Sequence, residues 1–196
     1  MKIKSEILFT TPHNFITIKK APNCSFFYSE RKGIDSVSIV LVDKERQLIG
    51  LTNETKPPFN EREQTEMAFK TTAMGGSLFD MISSEKDYLD MSFDEQLEIA
   101  TETAKKETKE EMGFDVSDTN VKFQKRVVFD SMSNEYVWLF VIEVDKSKKG
   151  DREPQNKLES MASNVWVSFD DITSLEDGKA KATLLDYFIN EKILKV

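Results

Sequence analysis

The sequence predicts a mixed α/β fold with a central strand covered on both faces. Three observations carry that expectation. Residues 36–42 form a β-branched run that turns through the polar stretch 43–47 and returns over 48–52, the pattern of a hairpin. Residues 136–144 are apolar at successive positions, so a strand there must be covered on both sides. Residues 92–114 and 182–194 instead repeat their apolar residues at helical spacing.

Taken in order, residues 7–10 and 15–18 read as short strands about a turn at Pro12-His13-Asn14, and Phe26-Phe27-Tyr28 as a third before Lys32-Gly33. Residues 1–34 are therefore expected to be a strand region apart from the body at 35–196. After the hairpin, Lys56-Pro57-Pro58 stops the strand, because proline has no N–H for a central ladder. Ser92-Phe93-Asp94-Glu95 is a capping box that starts a helix near Phe93, and Gly113 is its natural stop. On that helix Phe93, Leu97, Ala100, Ala104, Thr108 and Met112 share the stripe expected to face the core. Residues 121–129 and 136–144 form a second hairpin, residues 146–157 a long polar loop, and residues 164–168 a last strand. The final helix is expected to turn Leu184, Leu185, Phe188 and Ile189 inward.

Composition excludes several functions. The 196 residues carry a net charge of −8, which disfavours a duplex nucleic-acid partner. No apolar run is long enough for a membrane helix and no signal-peptide pattern opens the chain, so a cytoplasmic protein without a membrane partner is expected. A single cysteine, Cys24, and a single histidine, His13, rule out thiolate and multi-histidine metal sites. They are most simply a small buried or loop residue and a turn residue. Hard-cation chemistry falls to the 35 acidic side chains.

Three of these acids stand together. Glu107, Glu110 and Glu111 are spaced i, i+3 and i+4, so they share one side of a helix, and Glu111 projects almost onto the apolar stripe. A carboxylate aimed at the core is costly unless paired. A bound Mg²⁺ or Mn²⁺ would relieve both the burial and the mutual repulsion. The alternative is a solvated acidic face.

Residues 104–114, Ala-Lys-Lys-Glu-Thr-Lys-Glu-Glu-Met-Gly-Phe, resemble the end of the Nudix box, and Met74-Gly75-Gly76 resembles the Gly-Gly that opens it. Glu98 stands at the spacing of the box's first Glu. Lys106 replaces the usual Arg, Thr108 replaces an apolar residue, and an insert at about residues 77–91 separates Gly76 from Glu98 far beyond the usual spacing. On a continuous helix Glu98 points away from the other three, which leaves its role open. The hairpin, Lys-Pro-Pro, strand, Gly-Gly and helix follow the Nudix order. The flanks are most similar to the sub-group that cleaves ADP-ribose and other nucleoside diphosphate sugars, although the proline typical past its box is absent.

The resemblance implies an α/β/α sandwich with a mixed sheet and Mg²⁺-dependent hydrolysis of a pyrophosphate bond in a small nucleotide substrate. It implies metal held by Glu107, Glu110, Glu111 and the Gly75 carbonyl. Glu107 is the first candidate base, with Glu153 and Glu159 as loop candidates, and Lys106 is expected to orient a carboxylate. Lys56 and Gly76 are candidates for phosphate contact. Phe27 and Tyr28, with Phe26, are candidates for stacking a base, although core packing is their simpler explanation. The insert reads equally as a lid, an oligomer contact or a loop without a role. Many relatives are homodimers through their N-terminal strands, and residues 1–34 suit that. Other readings stay open: a non-catalytic nucleotide or nucleotide-sugar sensor on the same fold, a triphosphate or dinucleotide substrate, or an acidic interaction domain.

Overall fold

A computed structural model describes residues 5–11, 16–22, 25–31, 35–55, 67–82, 88–128, 133 and 135–193, with the side chains of Arg31, Phe79 and Asp80 left out. His13, Cys24, Lys56 and the proline pair lie outside the described residues.

Two sheets form. Strands β1 (Glu6–Thr10), β2 (Ile16–Lys20) and β3 (Phe27–Arg31) make an antiparallel sheet in that order. An isolated parallel bridge joins its Ser29 to Ser133. The body is a seven-stranded sheet of β4 (Ser36–Asp43), β5 (Leu48–Thr55), β6 (Phe69–Thr72), β7 (Met74–Ser77), β8 (Val121–Val128), β9 (Tyr136–Glu143) and β10 (Ser163–Ser168). Its main path runs β10-β5-β4-β9-β8. The β4–β9 pair is parallel and the others are antiparallel, so the sheet is mixed.

Strand β4 explains how the glycine pair is placed. One edge pairs with β9 from Ser36 to Val42. The other edge is divided: Leu41–Asp43 pair with β5, while Ser36–Ile39 pair with β7. The hairpin forks, β6 takes the free edge of β5, and β7 fills the fork beside β4. Gly75 thus stands opposite Ser38 and Gly76 opposite Val37.

Helices cover both faces. Val37, Ile39 and Leu41 of β4 and Trp138, Phe140 and Ile142 of β9 share one core with Ala100, Ala104 and Met112, on and just beyond α1 (Phe93–Glu107). Val40, Val42 and Val141 join Leu184, Tyr187 and Phe188 of α3 (Gly178–Asn190) on the opposite face. This alternation makes β4 and β9 apolar throughout. The short helix α2 (Lys157–Met161) interrupts the polar loop. No helix among the described residues is long and apolar enough to cross a membrane.

Several expectations need correction. Phe93 is 57% exposed, its ring lying 5.3 Å from Trp138 at the rim of the core. Ile189 is also exposed: α3 begins earlier than expected, at the Asp177 cap, and turns Ala180, Thr183 and Tyr187 inward. Phe26 and Phe27 are exposed, because the sheet that carries β3 lies outside both cores of the body. Phe26 and Tyr28 instead stack at 6.5 Å.

Leu78 and Tyr88 of the insert belong to the core, while Met81 and Leu89 are exposed. Leu78 is fully buried, and Tyr88 donates a 2.7 Å hydrogen bond to the buried carboxylate of Asp35. Asp35 also accepts from the Trp138 indole and the Tyr136 backbone and pairs with Arg126 at 2.9 Å. Gln96 of α1 joins in, donating to the Tyr88 carbonyl and accepting from Arg126. Burial pushes the Tyr88 hydroxyl pKa up, helped by the bond to Asp35 and opposed by the one to Trp138, so it stays a donor. This network ties the end of the insert to β4, β8, β9 and α1.

Candidate active site

Helix α1 begins as its capping box requires: Ser92 accepts from Glu95 N–H, and the Glu95 carboxylate accepts from Ser92 N–H. Its far end departs from the expected single helix. The α geometry stops at Glu107, and Thr108–Met112 form one π turn before Gly113 at φ +80° closes it. Thr108 sits at the junction, fully buried, with its hydroxyl donating 2.7 Å to the Ala104 carbonyl. Such back-bonds bend helices, which gives Thr108 a role that an apolar residue lacks. Wide π turns concentrate at functional sites.

The turn carries Glu110 and Glu111, and Glu107 stands at the junction just before it. Glu107 lies against Gly76: a Cβ added there would stand 2.6 Å from Glu107 Cδ and 2.7 Å from Cγ. The glycine pair and the acidic turn, separated in sequence by the insert, therefore meet. Glu111 is 8% exposed. Glu110 meets Lys106 at 3.7 Å and accepts 2.7 Å from the Gln155 amide, both at Oε1.

The polar loop is docked on the same turn. Gly150 N–H donates to Gly113 O at 2.8 Å, and Glu153 N–H donates to Glu110 O at 3.1 Å. Glu153 is exposed and pairs with Lys109 at 3.5 Å. The Glu159 carboxylate accepts from Gln155 N–H and the Asn156 amide, so it closes α2. Arg152 grips the backbone carbonyls of Ala162 and Glu159. Asn164 on β10 donates to Glu111 O at 2.9 Å. Sequence reasoning missed Gln155 and Asn164, which carry no motif and arrive by loop docking and strand pairing.

The remaining candidates lie elsewhere. Glu98 is on the exposed side of α1, lining an open groove of about 430 Å³ with Leu97, Val121 and Phe123. Phe27 and Tyr28 are on β3, where the Tyr28 hydroxyl donates to Ser5.

The donor set fits a hard divalent cation in kind, because it is all oxygen and rises from one turn packed on a glycine cradle. The carboxylates are not drawn into one compact three-ligand group among the described residues. At Glu110 the partners are Lys106 and Gln155.

No family model matches the chain, and no curated protein is recognisably similar to it in sequence. Solved structures do match. One is the crystal structure of an ADP compounds hydrolase, 15% identical, with a TM-score of 0.58 over 97% of this chain and 95% of that one. The fold is Nudix-like. An identity this low carries the architecture and neither the sub-group nor the activity.

Proposed function

We propose that the protein is a Mg²⁺-dependent hydrolase of the pyrophosphate bond in a nucleoside diphosphate joined to a second group, with ADP-ribose or another nucleotide sugar as the favoured substrate. The observation that carries this reading is the seating of Glu107 on Gly76, with Glu110 and the buried Glu111 on the same π turn. The Nudix-like fold and the hydrolase among its structural neighbours support it.

Glu107, Glu110, Glu111 and the Gly75 carbonyl would hold Mg²⁺, with Mn²⁺ as a substitute. The cation supplies neutralisation of the diphosphate charge and a lowered pKa for water. Glu107 takes the proton of the attacking water on its carboxylate as the new O–P bond forms and the bridging P–O bond breaks. Glu153 is the second candidate for that proton, since its backbone is tied to Glu110 while its side chain is exposed. Glu159 is held in the cap of α2 and is the weaker candidate. Lys106 orients Glu110. Gly76 leaves room for Glu107, and Lys56 is proposed for phosphate contact.

The exposed Ile7, Leu8 and Phe9 of β1, with Phe26 and Phe27, suit contact with a second copy of the chain. We propose a homodimer through this sheet, checked by sedimentation, where a monomer at micromolar concentration would refute it.

A sensor is the second reading, favoured by the spread of the carboxylates, which form no compact three-ligand group among the described residues. Phosphate release after a coupled phosphatase separates the two. The panel is ADP-ribose, UDP- and GDP-sugars, dinucleotides and nucleoside triphosphates, with and without Mg²⁺. Mg²⁺-dependent turnover of the nucleotide sugars is expected. Binding without turnover would favour the sensor.

A further inference from the structure

We infer that Gln155 is a positioning residue for the metal-binding carboxylate of Glu110, acting from the docked loop. The inference rests on the proposed metal-dependent reading and assigns a residue to it that no part of the motif contains.

The geometry is asymmetric. Gln155 Nε2 donates to Glu110 Oε1 at 2.7 Å, and Lys106 Nζ approaches the same oxygen at 3.7 Å. Oε2 has no hydrogen-bond or ion-pair partner among the described residues. A carboxylate held through one oxygen presents the other in a fixed direction, as outer-sphere hydrogen bonds do for metal ligands. A side-chain amide is suited to this task. It donates without adding charge, so it does not oppose a cation nearby.

The loop is built to keep Gln155 there. Glu153 N–H is bonded to Glu110 O, and Gly150 N–H to Gly113 O, so the segment before Gln155 is tied to the acidic turn by backbone. The Gln155 N–H donates to Glu159 Oε2 at 2.7 Å, which ties the segment after it to α2. Arg152 closes the loop on itself through the carbonyls of Glu159 and Ala162. Gln155 is therefore fixed at its backbone from both sides while its amide reaches Glu110.

The test is Mn²⁺ affinity of the full chain, measured by calorimetry and by the EPR signal of free Mn²⁺, without substrate or turnover. Gln155→Ala is expected to weaken Mn²⁺ binding by about tenfold or more. Gln155→Glu keeps the size, loses the donor and adds a like charge, and should weaken it at least as much. Ser160→Ala trims an exposed hydroxyl of α2 that bonds the Lys157 carbonyl, leaves the bonds that hold Gln155 intact, and should leave affinity within about twofold. Wild-type affinity in Gln155→Ala, or an equal loss in Ser160→Ala, would overturn the positioning role while leaving the metal site standing. Absence of Mn²⁺ binding by the wild type would overturn both.

Discussion

Gly76→Ala tests the meeting of the glycine pair with the acidic turn. The glycine lies outside the left-handed region, so alanine meets no backbone strain there. Its Cβ would overlap Glu107 Oε1 and stand 2.6 Å from Cδ, against the 3.4 Å at which ordinary contact begins, so the carboxylate must withdraw by about 1.2 Å. The group that moves is the end of a flexible side chain. Stability should therefore change by no more than about 1 kcal/mol, or roughly 3 °C in melting temperature. Catalysis is less forgiving, because a misplacement near 1 Å can cost about 10²-fold. The assay pairs Mg²⁺-dependent initial rates with thermal melting. A drop of about 10²-fold in kcat/KM with an unchanged melt is expected. Full activity in Gly76→Ala would refute the claim that Glu107 works from this cradle.

Three further outcomes follow from the packing. Arg126→Ala leaves the buried Asp35 carboxylate without its counter-charge and should cost about 3–5 kcal/mol, read as a melting temperature lower by roughly 10 °C; a change under 1 kcal/mol would remove the network's structural role. Thr108→Val should cost within about 1 kcal/mol in denaturant melts, because the Ala104 carbonyl still accepts from the Thr108 N–H. Burial alone would raise the Asp43 pKa, but bonds from Lys146 N–H and from Arg46 hold it below its usual value. A carboxylate depressed in the folded state stabilises above its unfolded pKa, so this contribution is lost as pH falls below about 4. Asp43→Asn should flatten that acid limb of stability, and an unchanged limb would contradict the assignment.

The sequence was most legible where one local pattern decides the outcome. The two-faced apolar runs at β4 and β9 required a covered central pair, and the Ser92–Glu95 box placed the start of α1. The acidic spacing at 107, 110 and 111 put the carboxylates on one turn. Less legible was whatever depends on distant partners. The π turn arises at Thr108, whose hydroxyl finds a backbone carbonyl in place of an apolar contact. The insert offered no period to read, yet Tyr88 is pinned by Asp35, more than fifty residues earlier. Phe26 and Phe27 have core-like composition, and only the separation of the two sheets leaves them exposed. Gln155 and Asn164 reach the acidic turn through tertiary docking that no motif encodes.

Glu107, Glu110 and Glu111 are proposed to support metal-dependent pyrophosphate hydrolysis. The most direct test of this role compares wild type with Glu111→Gln on ADP-ribose and related nucleotide sugars across a Mg²⁺ titration. Glu111 is buried, and the substitution keeps its size, so the fold should survive. Mg²⁺-dependent turnover is expected in the wild type and a loss of at least about 10²-fold in Glu111→Gln, with both proteins melting alike. Equal Mg²⁺-dependent turnover in the two proteins would contradict the proposed role.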